Sequence, residues 1–96
     1  MNTAHTILEQ LGGNKFLAMT GAKSLVGGDD MLQFRIPNGA KRINSVRVEL
    51  RADDTYDVLF YAIRGVNVRE VARAEGVYAD GLRETFTRET GLYTSL

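Results

Sequence analysis

The apolar residues of this chain follow two different spacings, and the spacing predicts the elements. Val46, Val48 and Leu50 are interleaved with Arg47, Glu49 and Arg51, and Tyr56, Val58 and Phe60 with Asp57, Leu59 and Tyr61. A period of two is that of a strand with one face buried, so residues 44–63 read as a hairpin whose even-numbered side chains face a core. Pairing quality then selects the register, because a slip of one residue turns every side chain over. A two-residue loop at Asp53-Asp54 sets Leu50 against Asp57, apolar against charged. A three-residue loop of Asp53, Asp54 and Thr55 sets Leu50 against Val58, Val48 against Phe60, Arg51 against Asp57 and Arg47 against Tyr61, and is preferred.

Alternation at 31–36 places Leu32, Phe34 and Ile36 on one side of another strand, ended by Pro37-Asn38-Gly39. The apolar run at 15–20 (KFLAMT) reads as a first strand that continues toward Leu25 with a bend at Gly21, and Gly27-Gly28-Asp29-Asp30 reads as a turn. Helical spacing occurs near the two ends. Ile7, Leu8 and Leu11 make a stripe over 6–11, opened by a capping box at Thr6 or at Thr3 and stopped by Gly12-Gly13. Tyr78, Leu82 and Phe86 recur every four residues over 78–90, with Gly91 as the cap. Residues 67–74 fit either a short helix opened by Asn67-Val68-Arg69-Glu70 or a strand. The expected order is α-β-β-β-β-α. It describes one α+β domain over residues 1–96, two layers deep, with a roughly four-stranded antiparallel sheet, an N-terminal helix and a C-terminal helix.

Composition narrows the chemistry. Lys+Arg and Asp+Glu are both 12, so the formal net charge is zero and no long-range attraction to a polyanion is built in. There is no cysteine and one histidine, His5, which removes disulfides, thiolate catalysis and Cys- or multi-His metal sites. No cofactor or metal is expected. No apolar run approaches the roughly 18–20 residues of a membrane span, and the N-terminal MNTAH lacks the start of a signal peptide, so a cytoplasmic chain without membrane contact is expected.

Several motifs resemble functional ones in outline. Thr20-Gly21-Ala22-Lys23-Ser24 lacks the spacing of a phosphate loop, and no helix is expected behind it. Asp29-Asp30 and Asp53-Asp54 are adjacent carboxylates of the kind turns use, not a pair held apart for acid–base work. No serine lies in a nucleophile elbow. A small hydrolase is therefore the least favoured class, and no catalytic residue is assigned.

The odd-numbered face of the hairpin carries more. With Val46, Val48, Leu50, Val58 and Phe60 turned inward, Arg35, Arg47, Arg51 and Tyr61 look out, and Lys41-Arg42 in the preceding loop extends the basic patch. Leu59, Ile63 and Met31 share that face as an apolar strip. The same residues also fit an ordinary solvated face, with Arg47 stacked on Tyr61 and Arg51 paired with Asp57, or a strip covered by the tail or the N-terminal helix. The terminal Thr94-Ser95-Leu96 fits a docked tail or a peptide for strand addition.

Leu11-Gly12-Gly13-Asn14-Lys15-Phe16 with Ala18-Met19-Thr20-Gly21-Ala22-Lys23, Thr55-Tyr56-Asp57-Val58, Val77-Tyr78-Ala79-Asp80-Gly81-Leu82, Phe86-Thr87 and Thr90-Gly91-Leu92-Tyr93-Thr94-Ser95-Leu96 resemble small proteins of tailed phages and bacterial mobile elements. The resemblance implies expression in the cytoplasm of a bacterial host. It implies no activity and no site residue. Together these readings favour a non-enzymatic binding module. Its expected surface is Arg35, Lys41, Arg42, Arg47, Arg51, Leu59, Tyr61 and Ile63. The expected partner is a host or defence protein, or a second copy in a homodimer, with single-stranded nucleic acid or RNA as the alternative.

Overall fold

The structure, a computed structural model, describes residues 3–37 and 39–94. Among them α1 (Thr3–Leu11) and α2 (Gly13–Thr20) are followed by β1 (Lys23–Gly28), β2 (Met31–Arg35), β3 (Ser45–Leu50), β4 (Tyr56–Arg64), β5 (Asn67–Val77) and α3 (Leu82–Thr90). The five strands form one antiparallel sheet in chain order, β1-β2-β3-β4-β5. The fold is α+β as expected, with five strands instead of four and three helices instead of two.

Both differences arise from helix–strand choices. Residues 15–20 are helical. Lys, Leu, Ala and Met favour helix, and only Thr20 in that run is β-branched. As a helix the run buries Phe16 and Thr20, one turn apart on the same side. Gly12-Gly13 does end α1, but as a hinge from which the chain re-enters a helix; φ is +128° at Gly12 and +61° at Gly13. The ambiguous segment at 67–74 is strand. It belongs to β5, joined to β4 through Gly65 and Val66, with the positive φ at Gly65 that a two-residue hairpin loop uses.

The helices lie on the even-numbered face of the sheet. Leu32 and Phe34 of β2, Val46 and Val48 of β3, and Tyr56, Val58 and Phe60 of β4 form one buried cluster with Ile7, Leu11, Phe16, Leu82 and Phe86. Phe16 meets Phe34 and Phe86 edge-on, each with ring centroids 5.3 Å apart. Tyr78 does not join this core. It is extended and 71% exposed, a 3-10 turn at Ala79–Gly81 intervenes, and the buried stripe of α3 is Leu82, Phe86 and Thr90.

The β3–β4 register keeps the expected faces but differs from the preferred pairing by two residues. Leu50 pairs with Tyr56, Val48 with Val58, Arg47 with Leu59 and Ser45 with Tyr61. The loop is three residues long but begins one residue earlier, at Ala52. The Arg51 N–H donates to the Thr55 carbonyl (2.8 Å), the Asp54 N–H donates to the Arg51 carbonyl (3.1 Å), and Asp54 takes φ +67°. Asp53 fixes the turn by accepting from the Thr55 N–H (3.1 Å) and hydroxyl (2.6 Å). Those two bonds are the main reason that its carboxyl titrates below the usual range.

In the β1–β2 connection the turn is Asp29-Asp30 alone, and Gly27 and Gly28 belong to β1. Gly27 is there for closeness: a Cβ on it would sit 2.8 Å from the Ala4 Cβ of α1. Asn38, in the expected turn after β2, lies outside the described residues, as do Ser95 and Leu96 of the expected tail. Thr94 is buried beside α3, so the last described residue of the tail is docked. No helix among the described residues is long and apolar enough to cross a membrane.

Candidate functional site

The odd-numbered side of the sheet has no helix over it among the described residues, so its side chains form the outer face. Registers place them in rows across the strands. One row runs Val26, Gln33, Arg47, Leu59, Arg73; the next runs Arg35, Ser45, Tyr61, Glu70; Ile63 and Val68 pair at the end. Five of the expected site residues therefore share this face within the sheet: Arg35, Arg47, Leu59, Tyr61 and Ile63. Arg51 follows at the end of β3.

Their states differ from those of an open binding surface, and Arg51 pairs with Asp57 as the solvated-face reading has it. Leu59 is 6% exposed although no helix covers it. Arg47 and Arg73 stand on either side of it in register, and the methylene stems of such residues shield apolar surface while their heads stay in water. Leu59 is thus a small core of the outer face and not an exposed anchor. Arg47 does not lie opposite Tyr61; its Nε donates to Glu49 Oε2 at 2.7 Å. Arg51 donates from Nη1 to Asp57 Oδ1 at 3.0 Å, with Asp53 at 3.8 Å and Glu75 at 3.9 Å. The Asp57 hydrogen bond, followed by the charges of Asp57 and Asp53, raises the Arg51 pKa further. Arg73 donates to Glu70 Oε1 at 2.8 Å, which likewise raises its pKa.

Tyr61 and Ile63 are half-buried. The position of Ile63 depends on Asn44, whose side-chain amide acts as one more strand residue. Asn44 Nδ2 donates to the Ile63 carbonyl at 2.8 Å, and its Oδ1 accepts from the Ile63 N–H at 2.9 Å. Arg35 is exposed at the end of β2.

Lys41 and Arg42 do not extend this face. They occupy the 3-10 turn Ala40–Arg42, where Lys41 pairs with Glu89 of α3 at 3.1 Å. Arg42 lines a concavity with Arg64, Asn67 and Arg69. Sequence reading missed Arg69 and Arg73 because residues 67–74 were open between helix and strand, and Arg64 because it stands only as the end of its strand. The Gly65 turn signal, taken as the start of a second hairpin, places Arg73 on the outer face and Arg64 and Arg69 on the opposite side.

The motifs set aside on sequence grounds have structural roles. Thr20 and Gly21 lie at the C-terminal end of α2, the end whose dipole disfavours phosphate. Asp53 holds its turn, and the Asp30 carbonyl accepts from the Leu50 N–H at 2.7 Å. A further concavity of about 460 Å³ beside α3 is lined by Arg83, Glu84, Thr87, Arg88, Tyr93 and Thr94. It brings no histidine to its three hydroxyls, those of Thr87, Tyr93 and Thr94. Among the described residues no three His, Cys, Asp or Glu side chains form a metal-binding group. Compared with known proteins, the chain matches no family model, no curated protein and no solved structure.

Proposed function

We propose that this chain is a non-enzymatic binding module that docks a protein through the outer face of its sheet. The observation that carries this reading is the in-plane neutralisation of that face. Arg47, Arg51 and Arg73 are each held by a carboxylate, Glu49, Asp57 and Glu70 respectively. A surface that interleaves both signs repels a polyanion as often as it attracts one, so it is poorly suited to phosphate backbones. The same arrangement, around Tyr61 and Ile63, suits a protein surface of mixed charge, where rim charges set register and an aromatic and an aliphatic group supply apolar contact. The pairs also fix the arginine side chains before docking, which lowers the ordering cost of association. For a chain of phage or mobile-element origin, the partner would be a host or defence protein.

The test is affinity capture from nuclease-treated bacterial lysate with three baits: wild type, Tyr61→Ala with Arg47→Glu on the outer face, and Arg83→Ala on α3 as a control. The expected result is a stoichiometric protein retained by wild type and Arg83→Ala and lost from the outer-face variant. Purified, that protein should bind with the same ranking. Capture of nothing, or equal capture by all three baits, would overturn the reading.

A further inference from the structure

The β4–β5 hairpin runs beyond the helical layer. On the inner side of the sheet Ala62 is still buried, but Arg64 and its register partner Asn67, and Arg69 opposite Ala62, continue that side into solvent. The 3-10 turn before β3 brings Arg42 to the same place. Together Arg42, Ala62, Arg64, Asn67 and Arg69 line a concavity of about 260 Å³. No carboxylate lines it, and among the described residues no side chain bonds or ion-pairs with the guanidinium of Arg42, Arg64 or Arg69. This is the reverse of the outer face, where each central arginine has its acid.

The delivery of Arg42 is conformationally costly. Lys41 has φ +58° and Arg42 φ +65°, consecutive L-residues in the left-handed region, at about 1–2 kcal/mol each. The turn is held from both sides, by the Gly39 N–H on the Ile43 carbonyl (2.8 Å) and by the Lys41–Glu89 pair (3.1 Å). A strained turn held in place by its surroundings fixes Arg42 beside the other two guanidinium groups, and fixed donors favour an anion.

We propose that Arg42, Arg64 and Arg69 bind a phosphate group, with the Asn67 amide as a neutral donor. Guanidinium forks match phosphate oxygens two at a time, and three of them around one concavity offer more donors than one phosphate can use. The phosphate belongs either to a nucleic-acid backbone or to a free phosphate ester. The site lies on the opposite side of the sheet from the docking face and does not depend on that reading. The hairpin tip fits the backbone source: Val66 is 96% exposed at the end of a two-stranded ribbon, a shape that enters a duplex groove and sets an apolar residue against bases.

Two probes distinguish the sources. Polarisation of a fluorescein-labelled duplex of about 20 base pairs should report binding whose log K falls with log salt by about 0.9 for each phosphate neutralised. Arg64→Gln with Arg69→Gln should weaken it about tenfold or more and flatten the salt slope, and Lys15→Gln, an exposed charge on α2, should change neither. Inorganic phosphate, titrated against chloride at matched ionic strength, should shift the amide resonances of residues 42 and 64–69 in wild type and not in the double variant. Phosphate shifts without duplex binding assign the site to a free ester. Absence of both responses, or responses undiminished in a double variant with an unchanged melting temperature, would overturn the proposal.

Discussion

Phe16 and Phe86 meet edge-on at 5.3 Å, and each stands four residues before a threonine that ends its helix in the same way. Thr20 Oγ1 donates to the Phe16 carbonyl at 2.7 Å and accepts from the Ala22 N–H at 3.3 Å. Thr90 Oγ1 donates to the Phe86 carbonyl at 2.7 Å and accepts from the Leu92 N–H at 3.2 Å. Gly21 and Gly91 follow with φ of +71° and +75°, their N–H groups closing on Leu17 and Thr87. One short signature, Phe-x-x-x-Thr-Gly, terminates two helices whose phenylalanines then interlock. Phe16→Ala and Phe86→Ala should each cost about 3–5 kcal/mol in urea unfolding. The two losses should not add, because either one empties the same contact. Thr20→Val and Thr90→Val should cost about 1 kcal/mol apiece and be additive.

Gly27→Ala should destabilise by about 1–3 kcal/mol, since the new methyl meets Ala4 Cβ at 2.8 Å. Ala4→Gly in the same chain should recover most of the loss, a coupling that a double-mutant cycle reads directly. Gly28→Ala meets only the Met31 side chain, at 2.8 Å, and a flexible thioether can move away. Its cost should be smaller and insensitive to residue 4.

Asp53 gives the acid limb of stability a definite sign. Its folded pKa is lowered, chiefly by the Thr55 hydrogen bonds. The stabilisation is therefore present above the unfolded aspartate value of about 3.9 and is lost as pH falls through the lower folded value. Urea midpoints measured between about pH 2 and pH 6 should fall more steeply for wild type than for Asp53→Asn in that acid window. Parallel curves would remove the carboxylate from the account.

Leu59→Ala separates packing from docking. Because Leu59 is enclosed between Arg47 and Arg73, its truncation should cost about 2 kcal/mol or more in stability. Tyr61→Ala, half-buried on the same face, should cost less stability and more binding. Equal effects of both variants on both readouts would mean that the face has no distinct docking role.

Asn44→Ala should release the β4 end at Ile63. The loss of two amide–backbone bonds predicts about 1–3 kcal/mol of local opening, seen as faster hydrogen exchange at the Ile63 N–H than at Val58.

How much of this was legible depends on what each residue had to decide. The parity of residues 45–63 was readable, because a strand with one buried face has no other way to place Val46, Val48, Val58 and Phe60. Register was not, because it rests on where a turn closes. Asp53 can take up either Thr55 or solvent, and nothing in the pairing preferences weighs that local bond. Residues 15–20 were misread because a compact apolar run suits both elements; helix propensity, with no β-branched residue before Thr20, was the signal passed over. The basic surface failed for a different reason. Counting arginines on a face does not show which have carboxylate neighbours: the Arg51–Asp57 pair was open to sequence reading, but Arg47 takes Glu49 of its own strand, and the Arg73–Glu70 pair belongs to a strand left unassigned.

The in-order sheet sets a timetable for assembly. Each strand pairs with the one made just before it, so the ribbon can zip in the order in which it leaves the ribosome. The layer above it cannot. Phe16 waits for Phe86, across most of the chain, and until α3 is synthesised the first two helices cover a hydrophobic surface with one side open. α3, not the sheet, decides when this layer closes.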